Sequence, residues 1–158
     1  MIREARDDDA AGIIALIAGC WAEYPGCLMD LDNEVPELRA LATHYAKRGG
    51  RVWVAETQGA IVGSVGVAPL ADGVWEIGKM YVDAARRGSG VAQALLAGAE
   101  DYAIGRGATG MYLGTDTRFT RARRFYEARG YARTGETREL HDISNSVEYG
   151  YAKSLLPA

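Results

Sequence analysis

Residues 86–96 read RRGSGVAQALL, an order of residue types suited to holding an anion. Two arginines precede a Gly-Ser-Gly turn, and a small and apolar run with helical spacing follows. The first N–H groups of a helix have no partner inside it, and the helix dipole makes that end favourable for negative charge. Gly88, Ser89, Gly90 and Ala92 leave the backbone open to oxygen atoms, while Arg86 and Arg87 add charge beside it. A bound phosphate is the chemistry this stretch offers; a plain strand-to-helix turn is the alternative. Two familiar phosphate motifs do not fit. A P-loop carries Lys and then Ser or Thr at the helix start, where this chain has Ala92-Gln93, and the dinucleotide fingerprint needs Gly or Ala at the position of Gln93.

Charge is concentrated elsewhere too. Asp30, Asp32, Glu34 and Glu37 form an acidic run just after Trp21 and Tyr24, and carboxylates beside aromatic faces suit a cationic amine. Tyr24, Asp30 and Glu34 are the candidate acceptor-binding residues; a solvated loop is the other reading. Arg118, Arg121, Arg123, Arg124 and Arg129 crowd a later segment, where one or two suit bidentate contact with a phosphate and the rest a hydrated face. As a nucleic-acid stripe this run is short. The net charge of -3 opposes that reading, because phosphate-binding faces bring a basic excess.

The frame that must position these residues is an ordinary folded chain. Its 158 residues, 48% apolar and 25% charged, suffice for one domain, 1–158, with a core that needs no metal or disulfide. Cys20 and Cys27 form neither a CxxC pair nor a cluster with His, so no zinc or redox site is expected and both are read as reduced. The first residues, MIREARDDDA, hold no apolar signal core, and no apolar run approaches the length of a membrane span. A cytoplasmic protein without membrane contact is expected.

Periodicity predicts a strand in MIREA, a helix through DDDAAGIIALIAGCW, an acidic irregular stretch, and a second helix from about Pro36 to Gly49-Gly50. RVWVAET and AIVGSVGVAPL read as a hairpin around Gln58-Gly59, and VWEIGKMYV as a third strand. The helix after the Gly-Ser-Gly turn carries Val91, Leu95, Ala99 and Tyr102 on one stripe. ATGMYLGTDT, FTRARRFYEARG, YARTGETREL and NSVEYGYAKSL then read as strand, helix and a final strand pair. The order predicts an α+β fold: a mixed, mostly antiparallel central sheet flanked by helices, with one βαβ crossover.

The glycine turn resembles the acetyl-CoA signature of the GNAT superfamily of N-acetyltransferases, Q/R-x-x-G-x-G/A, filled by Arg87, Gly90 and Ala92. EIGKMYVDAARRGSGVAQALL resembles that family's fourth strand, pyrophosphate loop and third helix, and RARRFYEARGYARTGE its last helix and the entry to the next strand. With the element order, the resemblance covers nearly the whole chain. It implies acetyl-CoA as cosubstrate and no metal. The amides of Arg87, Gly88, Ser89, Gly90, Val91 and Ala92 would hold the pyrophosphate, and the backbone around Met80, Tyr81 and Val82 the pantetheine arm. Phe119 and Ala122 fall beside that arm, but Phe119 stands where the family pattern has asparagine, which puts a side-chain contact there in question.

The resemblance further implies catalytic roles. An amine with a pKa of about 10 is mostly protonated at neutral pH, so a base must take its proton and an acid must meet the departing thiolate. Tyr126 matches the family's acid, with a packed aromatic beside Phe125 as the other reading. Glu76 matches the position of the base, acting directly or through a water, with a solvated strand carboxylate as the alternative. Along a strand Glu76, Gly78, Met80 and Val82 share one face, which would aim the carboxylate along the thioester side. An amide near Tyr81 or Val82 would polarise the carbonyl. The tail residues His141, Asp142, Ser144, Asn145, Glu148 and Tyr149 fall where the family's final strands help form the acceptor pocket. The expectation is acetyl transfer to the primary amine of a small molecule by a possible homodimer that binds no nucleic acid. The alternative is a non-catalytic acyl-CoA sensor or partner-binding module on the same fold.

Overall fold

Apolar spacing and glycine turns give seven strands and four helices, in the predicted order. The computed structural model describes residues 1–157. The strands are β1 (Ile2–Glu4), β2 (Arg51–Thr57), β3 (Ala60–Ala71), β4 (Val74–Val82), β5 (Gly110–Asp116), β6 (Ala132–Glu139) and β7 (Val147–Ser154). The helices are α1 (Ala10–Trp21), α2 (Leu41–Lys47), α3 (Val91–Gly105) and α4 (Thr120–Ala128). All seven strands join one sheet in the order β1-β2-β3-β4-β5-β7-β6, in which β4 and β5 form the parallel pair and α3 is their crossover. Two helices start later than the sequence suggests. Asp7–Asp9 form a 3-10 turn before α1, and Pro36–Ala40 another before α2, where Ala40 (φ -150°, ψ 55°) leaves helical geometry.

Each face of the sheet carries its own core. On one side Leu95, Leu96, Ala99 and Ala103 of α3, with Tyr126 of α4, pack on Val65, Val67, Ile77, Met111, Leu113 and Tyr151. The predicted stripe on α3 therefore holds at Leu95 and Ala99, while Tyr102 lies half-buried, edge-on to Trp53 and Trp75. On the other side Ile13 and Ile17 of α1 and Leu41 and Tyr45 of α2 pack on Val52, Val54 and Ala68. Tyr151 is fully buried, so this aromatic of the last strand packs inward. Every residue of β6 is exposed.

β4 departs from the expected alternation, and the departure matters for the site. Gly78 lies opposite Gly66 and Tyr81 opposite Ser64, so β4 carries one more residue than β3 across this interval. The extra residue sits at Lys79, whose φ is 51°, and the Ser64 hydroxyl donates to its carbonyl at 2.7 Å. The face argument for Glu76 is thereby corrected. Gly78 faces Tyr45 and Tyr81 packs with the α1–α2 core, whereas Met80 and Val82 pack with the α3–α4 core. Glu76 belongs to the α1–α2 side, where it accepts from Arg48 at 3.2 Å.

The β4–β5 ladder runs only from Val74↔Gly110 to Glu76↔Tyr112, although both strands continue. Beyond that point they splay apart. Their diverging ends open the sheet as a V, and the cavities described next lie at that opening.

Candidate active site

At the start of α3 the backbone is arranged as the glycine turn predicts. Gly88 and Gly90 hold φ of 79° and 89°, which glycine adopts without the steric penalty of a side chain, and neither has a neighbour where a Cβ would be. The first helical bond runs from the Ala94 N–H to the Gly90 carbonyl. The N–H groups of Gly88, Gly90, Val91, Ala92 and Gln93 have no hydrogen-bond partner among the described residues. The Ser89 hydroxyl donates to the Arg86 carbonyl at 2.5 Å, which ties the turn to itself.

These amides border a cavity of about 580 Å³. Met80, Tyr81 and Val82 of β4 form one wall and Arg87, Gly88, Ser89, Gly90 and Ala92 another. Phe119, Ala122 and Tyr126 of the α4 region close it. Val91 does not line it; its side chain packs on the α3–α4 core. Arg121 lines the cavity, whereas Arg118, Arg123 and Arg129 turn to Asp116, Tyr149 and Phe125. The arginines therefore do not form a single stripe.

Arg87 has a partner that the sequence reading missed. Its guanidinium donates to both oxygens of Glu23 at 2.6 and 2.5 Å, and Arg121 stands 3.8 Å from the same carboxylate. Those bonds hold Glu23 below the usual carboxylate range. Glu23 lies just beyond α1, so nothing in the local sequence pairs it with a residue 64 positions later. Cys20, also unforeseen here, lines the cavity with its thiol 3.5 Å from the Val82 carbonyl, and burial pushes that thiol upward. Both cysteines are free, as expected.

A second cavity, of about 480 Å³, opens on the other side of the V. Gly78 and Lys79 of β4, Gly114 and Asp116 of β5 and Glu148 of β7 line its inner part. Its roof comes from two loops: Leu28 and Ser144 exchange hydrogen bonds at 2.8 and 3.0 Å, and the Ile143 N–H donates to Glu34 at 2.7 Å. Glu34, His141, Asp142 and Ser144 line it as the sequence suggests. Asp30 does not; its carboxylate caps Asn33 within the loop. Tyr24 stands instead on the first cavity, its ring 4.9 Å from Phe119. Tyr149 lies outside, between the guanidiniums of Arg123 and Arg133 at 5.1 and 3.6 Å. Glu76 lines neither cavity.

Met80, Tyr81, Phe119, Ala122 and Tyr126 belong to both cavities and mark where they meet. Tyr126 is 6% exposed, its hydroxyl has no hydrogen-bond partner among the described residues, and burial raises its pKa far above the ordinary phenol value. Burial likewise raises Tyr81, whose oxygen accepts from the Trp21 indole at 3.0 Å. Asp116 is 7% exposed; burial pushes it up, but Arg118 and Ser146 hold it below the carboxylate range. Together these features offer an anion-binding turn, a protonated phenol at a junction, and an acid-lined chamber beyond it.

The family model described as the Acetyltransferase (GNAT) family matches residues 13–131. An uncharacterized N-acetyltransferase, YjgM, of Escherichia coli (strain K12) is 33% identical over 83% of this chain and 81% of its own. The chain spans about half the length of the mammalian N-acetyltransferases it matches, 52% and 49% for two of them. An acetyltransferase of the GNAT family from Staphylococcus aureus Mu50 shares the fold with a TM-score of 0.84 at 23% identity, over 99% of both chains. An aminoglycoside 6'-N-acetyltransferase complexed with coenzyme A does so at 0.72 and 20% identity, over 100% of this chain and 98% of that one. No described helix is long and apolar enough to cross a membrane.

Proposed function

The chain belongs to the GNAT family of acetyltransferases, and from that premise we propose that it transfers an acetyl group from acetyl-CoA to a primary amine of a small molecule. The observation that carries this reading is the meeting of two cavities at Tyr126, one bordered by free amides and the other by carboxylates. The fit to CoA rests on the chain's own donors. The unpartnered amides of Gly88, Gly90, Val91, Ala92 and Gln93 suit a pyrophosphate, and Arg86, Arg87 and Arg121 add positive charge around it. The bound cosubstrate supplies an activated acetyl thioester.

Tyr126 keeps its proton on Oη because its burial disfavours the phenolate, so it can serve a departing sulfur as acid. The bulge at Lys79 presents Met80 and Tyr81 to both cavities, which supports a β4 amide as the donor that would polarise the carbonyl. The base is assigned to Glu148, directly or through a water, in place of Glu76: Glu148 lines the acceptor cavity and Glu76 does not. Arg138 fixes Oε1 of Glu148 at 2.7 Å and leaves the second oxygen available.

Calorimetric titration with acetyl-CoA, with NAD as control, followed by a CoA-release assay over an amine panel, tests this reading. One-to-one micromolar binding without an NAD response, and release that depends on an amine, are expected. A second reading draws on one observation: Phe119 packs at a tilt against Tyr24 where the family pattern has asparagine, as a binding module that has lost transfer would permit. Steady CoA release with any amine excludes it.

A further inference from the structure

Under the proposed function, transfer at Tyr126 would use only the inner part of the acceptor cavity. We propose that the outer part binds a second positive charge, so that the preferred acceptors are primary amines carrying another ammonium group. This rests on the transferase reading and narrows its substrate class.

Five carboxylates line the cavity, and three of them have cations. Glu37 pairs with Lys79 at 3.1 Å, Asp116 with Arg118 at 2.8 Å, and Glu148 with Arg138 at 2.7 Å. Glu34 and Asp142 form no ion pair among the described residues, and Arg118, itself paired with Asp116, is the cation whose field reaches Asp142. Each is fixed by one backbone donor, Ile143 N–H to Glu34 Oε2 and Ser146 N–H to Asp142 Oδ1, both at 2.7 Å. Each therefore keeps one oxygen without a partner. The 142–146 segment carries both donors, so the two carboxylates are held on one roof.

An independent feature sets the other end. Tyr126 is more than nine-tenths buried and unpartnered, and it lines the same cavity at the junction with the cofactor side. Neither Glu34 nor Asp142 belongs to that junction. An acceptor reaching from Tyr126 to the roof thus meets one reacting end and one anionic end. A volume of about 480 Å³ accommodates such an extended molecule.

The probes are hexamethylenediamine and heptylamine, equal in chain length and different in one charge. In the wild type the diamine should show at least a five-fold higher kcat/KM by CoA release. The double substitution Glu34→Gln, Asp142→Asn keeps both acceptor oxygens for Ile143 and Ser146 but removes the charges. Once its fold is verified by circular dichroism, it should bring the diamine-to-monoamine ratio close to one. A wild-type ratio of one or less, or a ratio that survives the double substitution, overturns the proposal. If no amine of the panel releases CoA, the transferase reading falls, and calorimetric binding of the diamine decides the cation site separately. Affinity reduced at least five-fold in the double variant upholds the site; equal affinity overturns it.

Discussion

At the scale of single residues the site depends on how the surroundings set proton affinity. Tyr126 has no charged neighbour strong enough to compete with burial, so its phenol stays neutral well above its ordinary pKa. Tyr126→Phe removes the proton and little volume. It should lower kcat about a hundred-fold or more, within the range general acid catalysis supplies, while the affinity for acetyl-CoA by calorimetry changes little. Because the acid stays loaded, kcat/KM in wild type should rise with pH as the free amine loses its proton, with no alkaline fall below about pH 10. Glu148→Gln and Glu76→Gln separate the two base assignments. Glu148→Gln should cost at least ten-fold in kcat and Glu76→Gln less than three-fold; the reverse order returns the role to Glu76.

At the scale of elements the bulge in β4 and the helix ends decide which side chains meet. Tyr45 lies against the sheet where Gly66 and Gly78 leave room: a Cβ on Gly66 would come within 2.6 Å of its ring, and one on Gly78 would strike its hydroxyl. Gly78→Ala should therefore destabilise the protein by about 1–3 kcal/mol, as overpacking does, and Tyr45→Phe in that background should recover part of the loss in urea unfolding. A second device joins α1, the glycine turn and α4 through Glu23. Glu23→Gln should free Arg87 and tighten acetyl-CoA several-fold at low salt, an advantage that fades at high salt, whereas Arg87→Ala should weaken it. These devices mark the limit of what a single sequence discloses. Strand and helix periods and the Gly-Ser-Gly turn are local signals, and the element order and anion-binding turn follow from them, whereas Tyr126 is singled out by the family resemblance. The extra residue at Lys79 is not local, because a β-bulge exists only relative to the partner strand, and reading through it put Glu76 on the wrong face. Asp30 and Glu34 are equally acidic in sequence; only the folded loop turns one onto Asn33 and the other into the cavity.

At the scale of the whole molecule the splay of β4 from β5 does more than expose residues. It places the two cavities on opposite sides of a single junction at Met80, Tyr81 and Tyr126, so under the proposed function a cosubstrate in one and an acceptor in the other would be present together with their reacting groups adjacent. A molecule built this way has no need to store the acetyl group on itself. The one thiol bordering the cofactor cavity is a poor candidate for such storage: Cys20 is 8% exposed, burial raises its pKa, and its sulfur lies 3.5 Å from the Val82 carbonyl oxygen. Thiolate, the attacking form, is therefore scarce there at neutral pH. The expectation is a ternary complex. Initial rates measured over a grid of acetyl-CoA and amine concentrations should give intersecting double-reciprocal lines, and Cys20→Ala should keep both that pattern and kcat within about three-fold. Parallel lines, together with an acetylated protein trapped in the absence of amine, would mean that the acetyl group rests on the chain between two half-reactions. In that event the junction would be a relay with a nucleophile of its own, and the adjacency of the two cavities would serve successive rather than simultaneous occupancy.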